Sequence, residues 1–256
     1  MAIYVSNKAM TAPGDAPFVP NPLRGLFMNF SAKLDAPNNG QVITKIIARG
    51  SAPVLDRTFD KKRGSTFTFP VSVGGSDPYL EFNGTSSLAN SSQNGDAANP
   101  YTLLSDNFSL AMRVRIHDWT DRSTSGFLRG VVNRTASLRP GSAGTEGSFM
   151  IGGSAKANVN TNVATGIRTD EWASIIISYS ASEANLLLAG ESDVAGFAMA
   201  AGTSLQGFGF ATNITPTAVL GAIFDMSHFA VWDRSLYENE MTAIRDTWNS
   251  GGDLLS

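Results

Sequence analysis

The chain has 256 residues, of which 42% are hydrophobic and 16% are charged, and its formal net charge at pH 7 is -3. There is no basic surplus to neutralise phosphates, so we expect no nucleic-acid partner. Cysteine is absent, which excludes disulfides, zinc–thiolate sites and thiol catalysis. No apolar run reaches the ~20 residues of a membrane span, and the first residues do not resemble a signal peptide. We therefore expect a protein that is made in a cytoplasm and does not cross a membrane.

The first segment, residues 1–22, contains four prolines and few residues that could build a core. This composition predicts an extended arm. An ordered arm needs a surface to lie on, so we expect it to contact either its own domain or other subunits of an assembly. Residues 23–256 have the length and apolar content of one folded domain.

Alternation of apolar and polar residues begins at Leu23 and is typical of strands with one buried face. The longest alternating runs are residues 66–73, 107–116 and 173–179. In the second run the predicted inward residues are Phe108, Leu110, Met112, Val114 and Ile116, and the predicted outward residues are Ser109, Ala111, Arg113 and Arg115. Shorter strands are predicted at 79–82, 127–132, 148–151, 186–189, 207–211, 219–222 and 226–232.

Helical spacing is found in the C-terminal segment, residues 237–248. Leu236, Met241, Ile244 and Trp248 can share one face there. Glu238 and Glu240 would lie in the first turn, where a carboxylate interacts favourably with the helix dipole. Many short strands joined by turns, followed by one helix, predict an all-β sandwich or barrel with a helical cover.

Three stretches, taken together, resemble the laminin-G-like, concanavalin-A-like jelly-roll superfamily. They are "YLEFNGTSSL" (79–88) followed by "NFSLAMRVRI" (107–116), then "DEWASIIISYSASEANLLLAGE" (170–191), and finally "MSHFAVWDRSLYENEM" (226–241). Their order and spacing match the family, and they cover residues 79–248, with 23–30 as a candidate first strand. The resemblance implies a two-sheet antiparallel jelly-roll sandwich, a short C-terminal helix, and the extended N-terminal arm outside it.

The sequence also departs from the family pattern. Ser174 stands where a histidine usually follows the tryptophan, and Ser227 and His228 replace an acidic pair. Tyr237 occupies the helix N-cap position, where a serine or threonine would be worth about 1 kcal/mol unless another group helps. These departures argue against transferring a family binding site to this chain.

A catalytic role is one implication of the resemblance, because the fold also hosts glucanases and lyases. Retaining glucanases of this fold carry E-x-D-x-x-E on one strand, whereas this chain has Glu191 and Asp193 with Gly196 at the third position. The two histidines, His117 and His228, are interpreted as structural residues. We therefore predict no catalytic residues and a non-enzymatic protein.

Calcium is the recurring ion of the superfamily, and oxygen ligands suit this composition. Asp118 and Asp121 lie close together in a predicted loop, and residues 94–96 form a looser candidate. Without a dense acidic loop, these residues are interpreted as solvated loop acids. We predict no metal ligands and leave calcium open.

A glycan site in such folds pairs an aromatic face with polar side chains. The predicted glycan-binding residues are Trp119, Asp118, Asp121 and Arg122 in one loop, and Arg113 and Arg115 on the outward strand face. The alternative is that Trp119 packs at the core edge and that the arginines are ordinary surface residues. The other tryptophans, Trp172, Trp232 and Trp248, are predicted to pack in the core.

The favoured hypothesis is a virion protein, with a tailed bacteriophage as the favoured source, that decorates the particle or associates with a fibre. Its arm would dock on other virion proteins, it would form a homo-oligomer, and its rim loops would meet host glycan. The alternatives are a carbohydrate-binding module of a cellular adhesin, and a glycoside hydrolase or polysaccharide lyase.

Overall fold

The structure is a computed structural model. It describes residues 21–62, 66–91, 100–120, 125–133, 137–140, 146–152, 161–164, 167–180, 183–188, 195–198, 204–213 and 221–255. The predicted arm therefore lies almost wholly outside the described residues, and the boundary between arm and domain stays a prediction.

Strands dominate the described residues. In chain order they are β1 (Leu26–Ser31), β2 (Ile46–Ile47), β3 (Thr58–Phe59), β4 (Val71–Val73), β5 (Tyr79–Asn83), β6 (Leu88–Ala89), β7 (Leu103–Ser105), β8 (Phe108–Ile116), β9 (Ser125–Asn133), β10 (Ser137–Pro140), β11 (Ser148–Gly152), β12 (Thr161–Ala164), β13 (Trp172–Ser180), β14 (Glu183–Leu188), β15 (Ala195–Ala198), β16 (Ser204–Asn213) and β17 (Ile223–Trp232). The helices are α1 (Ala32–Asp35), α2 (Val54–Arg57) and α3 (Glu238–Asn249).

Two antiparallel sheets form a β-sandwich, which confirms the predicted fold class. The first sheet has the order β15-β14-β13-β8-β17-β5-β4, with β1 also paired to β17. The second has the order β12-β11-β10-β9-β16-β6, with β7 also paired to β16. In the middle of each sheet, neighbouring strands such as β8 and β17 or β9 and β16 are distant in the sequence, as in jelly rolls.

The main core lies between the two sheets and is rich in phenylalanine. Phe82 and Phe224 stack with ring centroids 4.7 Å apart, and Phe210 meets Phe229 edge-on at 4.7 Å. The predicted inward residues of β8 all belong to this core. Each fully buried phenylalanine contributes roughly 1.5–3 kcal/mol of hydrophobic stabilisation.

A second core lies on the outer face of the first sheet, where α3 covers it. Met241, Ile244 and Trp248 of the helix are buried in one cluster with Ala111 and Ile176 of the sheet. This cluster confirms the predicted apolar face of the helix. It also buries outward residues of β8 and β13 that strand alternation alone would leave exposed to solvent.

The start of α3 is stabilised by a side chain that is not at the N-cap. Glu240 Oε2 accepts a hydrogen bond from the Tyr237 backbone N–H at 3.0 Å. The same carboxylate forms two 2.7 Å bonds with Arg234 and is almost fully buried. Glu240 thus supplies the help that a tyrosine N-cap needs.

Two predicted strands differ from the structure. The run at 66–73 forms a regular strand only over β4, because Pro70 has no backbone N–H to donate to a ladder. The strand predicted at 219–222 falls partly on residues outside the described part, and Gly221 and Ala222 are not in a strand. Instead β17 begins at Ile223, three residues before the predicted start.

The last residues of the predicted arm are held against the sandwich. The Trp232 indole N–H donates to the Pro22 carbonyl at 2.6 Å, and Arg234 Nη2 donates to the Asn21 carbonyl at 3.1 Å. Among the described helices, none has the length and hydropathy needed to cross a bilayer.

Candidate functional site

The helix covers only part of the outer face of the first sheet, and a polar strip remains beside it. One cross-strand row runs from Trp172 (β13) to Arg115 (β8), Asp225 (β17) and Glu81 (β5). Tyr79 and Arg113 are two residues from Glu81 and Arg115 on the same strands and therefore share their face. We call these residues, Tyr79, Glu81, Arg113, Arg115, Trp172 and Asp225, the outer patch.

Asp225 is the buried anchor of the outer patch, since its side chain is only 3% exposed. Arg115 donates to Asp225 Oδ2 from Nε at 2.9 Å and from Nη2 at 2.6 Å. The same oxygen lies 2.9 Å from His117 Nε2. A buried carboxylate needs such partners, and in return it fixes the position of the Arg115 guanidinium.

His117 joins two carboxylates at the end of β8. Its Nδ1 lies 2.5 Å from Asp170 Oδ1, opposite the contact with Asp225. Asp170 adopts a φ of 64°, a left-handed conformation that aspartate tolerates better than most residues. Burial lowers the pKa of His117, but the hydrogen bonds to Asp170 and Asp225 outweigh it, so the pKa lies above its usual value of 6.5.

Two aromatic rings and two guanidiniums stack on the outer patch. Tyr79 and Trp172 meet edge-on with ring centroids 5.9 Å apart, and both remain partly exposed. The Arg113 and Arg115 guanidiniums lie 4.6 and 5.1 Å from the Trp172 ring, and Arg115 lies 4.9 Å from the Tyr79 ring. These cation–π contacts help to hold the two rings in place.

A depression of about 290 Å³ opens beside this stack. It is lined by Tyr79, Glu81, Arg115, His117 and Asp225, among others. It therefore offers an aromatic ring, fixed N–H donors and carboxylate acceptors within one small volume. That combination suits a small polyhydroxylated ligand, which needs both apolar contact and hydrogen bonds.

A second depression, of about 260 Å³, lies at the end of α3 and is bordered by Arg113 and His228. Arg113 Nη1 donates to the two Asp77 carboxylate oxygens at 2.9 and 3.0 Å and to Ser227 Oγ at 3.0 Å. His228 stacks on Trp248 at 5.3 Å. Burial, helped by the nearby Arg113 charge, lowers the pKa of His228 to about 4, so it is neutral at pH 7.

Among the predicted glycan-binding residues that the structure describes, Arg113 and Arg115 lie together, whereas Trp119 and Asp118 do not join them. Arg113 and Arg115 share the outer face, as predicted. Trp119 is 5% exposed and belongs to the main core, because the turn after β8 directs it inward. Asp121 and Arg122 lie outside the described residues. The glycan-binding role of these side chains stays a prediction.

Asp118 has a local structural role. Its Oδ1 accepts hydrogen bonds from the Thr120 backbone N–H at 2.9 Å and the Thr120 hydroxyl at 2.6 Å.

Within the described part of the chain, no cluster of three or more His, Asp or Glu side chains could hold a metal ion. Glu191 and Asp193 lie outside that part.

The prediction that Trp172 packs in the core is wrong. Trp172 is partly exposed on the outer patch, whereas Trp232 and Trp248 are fully buried as predicted. The signal was present in the sequence. If Ala173 and Ile175 point inward, then position 172 points outward together with 174.

Comparisons with known proteins identify the fold. No protein-family model matches the sequence, and no curated protein does either. Among solved structures, a Trypanosoma rangeli sialidase in complex with sialic acid matches with a TM-score of 0.56 and 10% identity, over 95% of this chain and 36% of its own length. A mutant of that sialidase with trans-sialidase activity gives a TM-score of 0.57 and 10% identity, over 90% of this chain and 34% of its own.

A third match covers nearly the whole of the compared structure. It is domain 4 of AbnA, a GH43 extracellular arabinanase from Geobacillus stearothermophilus, in complex with arabinotriose. The TM-score is 0.50 and the identity 15%, over 86% of this chain and 98% of that domain. At these identities the likeness establishes a shared β-sandwich fold.

These matches correct one expectation from the sequence. The missing acid motif predicts a non-enzymatic protein, but the matched sandwiches belong to sialidases and an arabinanase, which are enzymes. The chain spans about a third of the sialidase, 36% of its length. All three matched proteins are carbohydrate-active, and none is a virion protein.

Proposed function

We propose that this β-sandwich is a carbohydrate-binding module and that the outer patch is its sugar-binding surface. The observation that carries the proposal is the fixed, partly exposed pair of Tyr79 and Trp172 beside the Arg115–Asp225 ion pair. An aromatic surface next to preoriented donors and acceptors is the usual composition of a sugar site.

Each component of the patch has a role in this proposal. The rings of Tyr79 and Trp172 would pack against the C–H groups of a sugar. The outer edge of the Arg115 guanidinium would donate to hydroxyl oxygens, and Glu81, which is exposed, would accept from hydroxyl groups. Because neighbouring strands hold these groups in register, binding requires little reorganisation.

The ligands of the matched structures support this proposal. The arabinanase domain is in complex with arabinotriose, and the sialidase is in complex with sialic acid. Both ligands are carbohydrates. For the present chain we propose a glycan-binding sandwich that works within a carbohydrate-active or glycan-attaching protein.

The experiment is a binding assay on a panel of soluble polysaccharides and oligosaccharides by affinity electrophoresis and calorimetry. We expect saturable binding of at least one glycan, and a loss of about tenfold or more in affinity for Trp172→Ala. Tyr237→Ala is the matched control, since Tyr237 is an aromatic residue that is 51% exposed and lies outside the patch. Equal losses in both variants, or glycan binding unchanged in Trp172→Ala, would contradict the proposal.

We also propose, from the sequence of residues 1–22, that the module is attached to a larger assembly through this arm, with a virion as the favoured assembly and a homo-oligomer as the favoured state. The contacts of Trp232 and Arg234 with the carbonyls of Pro22 and Asn21 support it, because they give the arm a fixed point of departure. Deleting residues 1–20 should leave the thermal unfolding of the sandwich unchanged and abolish co-sedimentation with the assembly. Undiminished co-sedimentation would contradict this role.

A further inference from the structure

We propose that the outer patch continues into a second subsite that takes the carboxylate of an acidic sugar, such as a uronic acid, next to a sugar held at Trp172. This inference rests on the proposed carbohydrate-binding function and adds the class of ligand. Its structural basis is the depression of about 260 Å³ that is lined by Lys33, Asp77, Arg113, His228 and Asn249, among others.

The two depressions adjoin the same aromatic stack. Arg113 borders the second depression and Arg115 borders the first, and both guanidiniums lie over the Trp172 ring at 4.6 and 5.1 Å. Arg113 and Arg115 are two residues apart on β8, so their Cα atoms are separated by about 7 Å. The two depressions therefore border neighbouring outward positions of one strand, and the proposed ligand is an oligosaccharide that contacts both.

The second depression carries an excess of positive charge. Lys33 and Arg113 contribute two cations, Asp77 contributes one anion, and His228 is neutral at pH 7. Arg113 is paired with Asp77, which leaves Lys33 as the cation available to a ligand. Lys33 is exposed, and no carboxylate of the described residues lies within ion-pair distance of its ammonium group. A ligand carboxylate would form an ion pair with the Lys33 ammonium group.

Neutral donors at the same edge favour an oxygen-rich anion. Asn249 uses its Oδ1 to accept a hydrogen bond from Ser174 at 3.1 Å, which leaves its amide N–H groups to donate to a ligand. The final carbonyls of α3 already accept bonds from Ser250, Gly251 and Gly252. The negative end of the helix is therefore largely satisfied and opposes an anion only weakly.

The test compares an oligosaccharide that carries one uronic acid on neutral sugars with its carboxyl-reduced counterpart, by calorimetry on the full chain. We expect the acidic form to bind about tenfold more tightly. Lys33→Gln should remove most of this difference while leaving the affinity for the reduced form unchanged. Lys45→Gln is the matched control, because Lys45 is also exposed but does not line either depression.

The outcomes separate this inference from the function on which it rests. Equal affinity for the two oligosaccharides would overturn the acidic subsite while leaving the module a glycan binder. Equal losses in Lys33→Gln and Lys45→Gln would overturn it too, since they would indicate general charge attraction. Failure to bind either oligosaccharide or any panel glycan, or binding unaffected by Trp172→Ala, would instead overturn the proposed function.

Discussion

Arg115 and Asp225 face each other on neighbouring strands, and two guanidinium nitrogens donate to a single carboxylate oxygen at 2.9 and 2.6 Å. The arginine is 27% exposed and the aspartate 3%, so the pair spans the boundary between core and solvent. The buried carboxylate therefore holds the exposed cation in a fixed position on the outer patch.

The first prediction concerns the stability provided by this pair. Asp225→Asn removes the charge that pairs with Arg115 and His117, so we expect the free energy of unfolding to fall by about 2–3 kcal/mol. Asp246→Asn is the control, because Asp246 forms an ion pair with Arg245 but is 61% exposed. In urea unfolding, the free energy of unfolding of this variant should fall by less than about 1 kcal/mol. Equal losses in the two variants would show that Asp225 is not a structural anchor.

The second prediction concerns His228 at acidic pH. Its pKa is about 4 in the folded protein and about 6.5 when unfolded, because burial disfavours the charged ring. As the pH falls, the unfolded state therefore takes up this proton before the folded state does. The free energy of unfolding is not reduced by His228 above pH 6.5, and it decreases as the pH falls from 6.5 toward 4. We expect His228→Phe, which keeps a ring beside Trp248, to lose about 3 kcal/mol less stability than the wild type between pH 7 and pH 4. Parallel pH profiles would contradict the assignment.

His117 should show the opposite pH dependence. The folded-state pKa of His117 is raised. Its stabilising contribution to the free energy of unfolding is therefore fully present below pH 6.5 and is lost as the pH rises through the folded-state pKa. We expect His117→Gln to be less stable than the wild type at pH 6, and the difference to shrink at higher pH.

An NMR titration checks the cause of this shift. Asp170→Asn should lower the pKa of His117, whereas Asp118→Asn should leave it unchanged, because the Asp118 carboxylate binds Thr120 instead. If both substitutions lower it equally, the contact between His117 and Asp170 is not the cause.

Much of the fold follows from local patterns in the sequence. Strand alternation correctly assigned Leu110 and Met112 to the core and Arg113 to the outer face, because side-chain direction repeats every two residues. The apolar spacing of the C-terminal segment likewise predicted α3. Each of these features depends on a few consecutive residues.

The candidate site depends on register between strands that are distant in sequence, and the sequence does not determine that register. Trp172 pairs with Arg115, and Arg115 with Asp225, across separations of more than fifty residues. Trp119 continues the outward alternation of β8 but lies beyond its last residue, Ile116, where the turn redirects it. Local patterns could therefore identify aromatic candidates but not decide which one joins the arginines.

The last prediction concerns Arg234, which links the start of α3 to the N-terminal segment. It makes two 2.7 Å bonds with the buried Glu240 carboxylate, and it also donates to the carbonyls of Asn21 and Arg24. We expect Arg234→Ala to increase tryptic cleavage after Arg24 by about tenfold, since the segment loses hydrogen bonds that each contribute about 1 kcal/mol. Mass spectrometry of the fragments measures this rate.

Arg245→Ala is the matched control for that experiment. Arg245 is the other arginine near this end of the chain, but it pairs with Asp246 on the exposed side of α3. Its removal should leave cleavage after Arg24 at the wild-type rate, because its ion pair is with Asp246 and not with the carbonyls of Asn21 or Arg24. Equal cleavage rates in both variants would mean that Arg234 does not hold the segment.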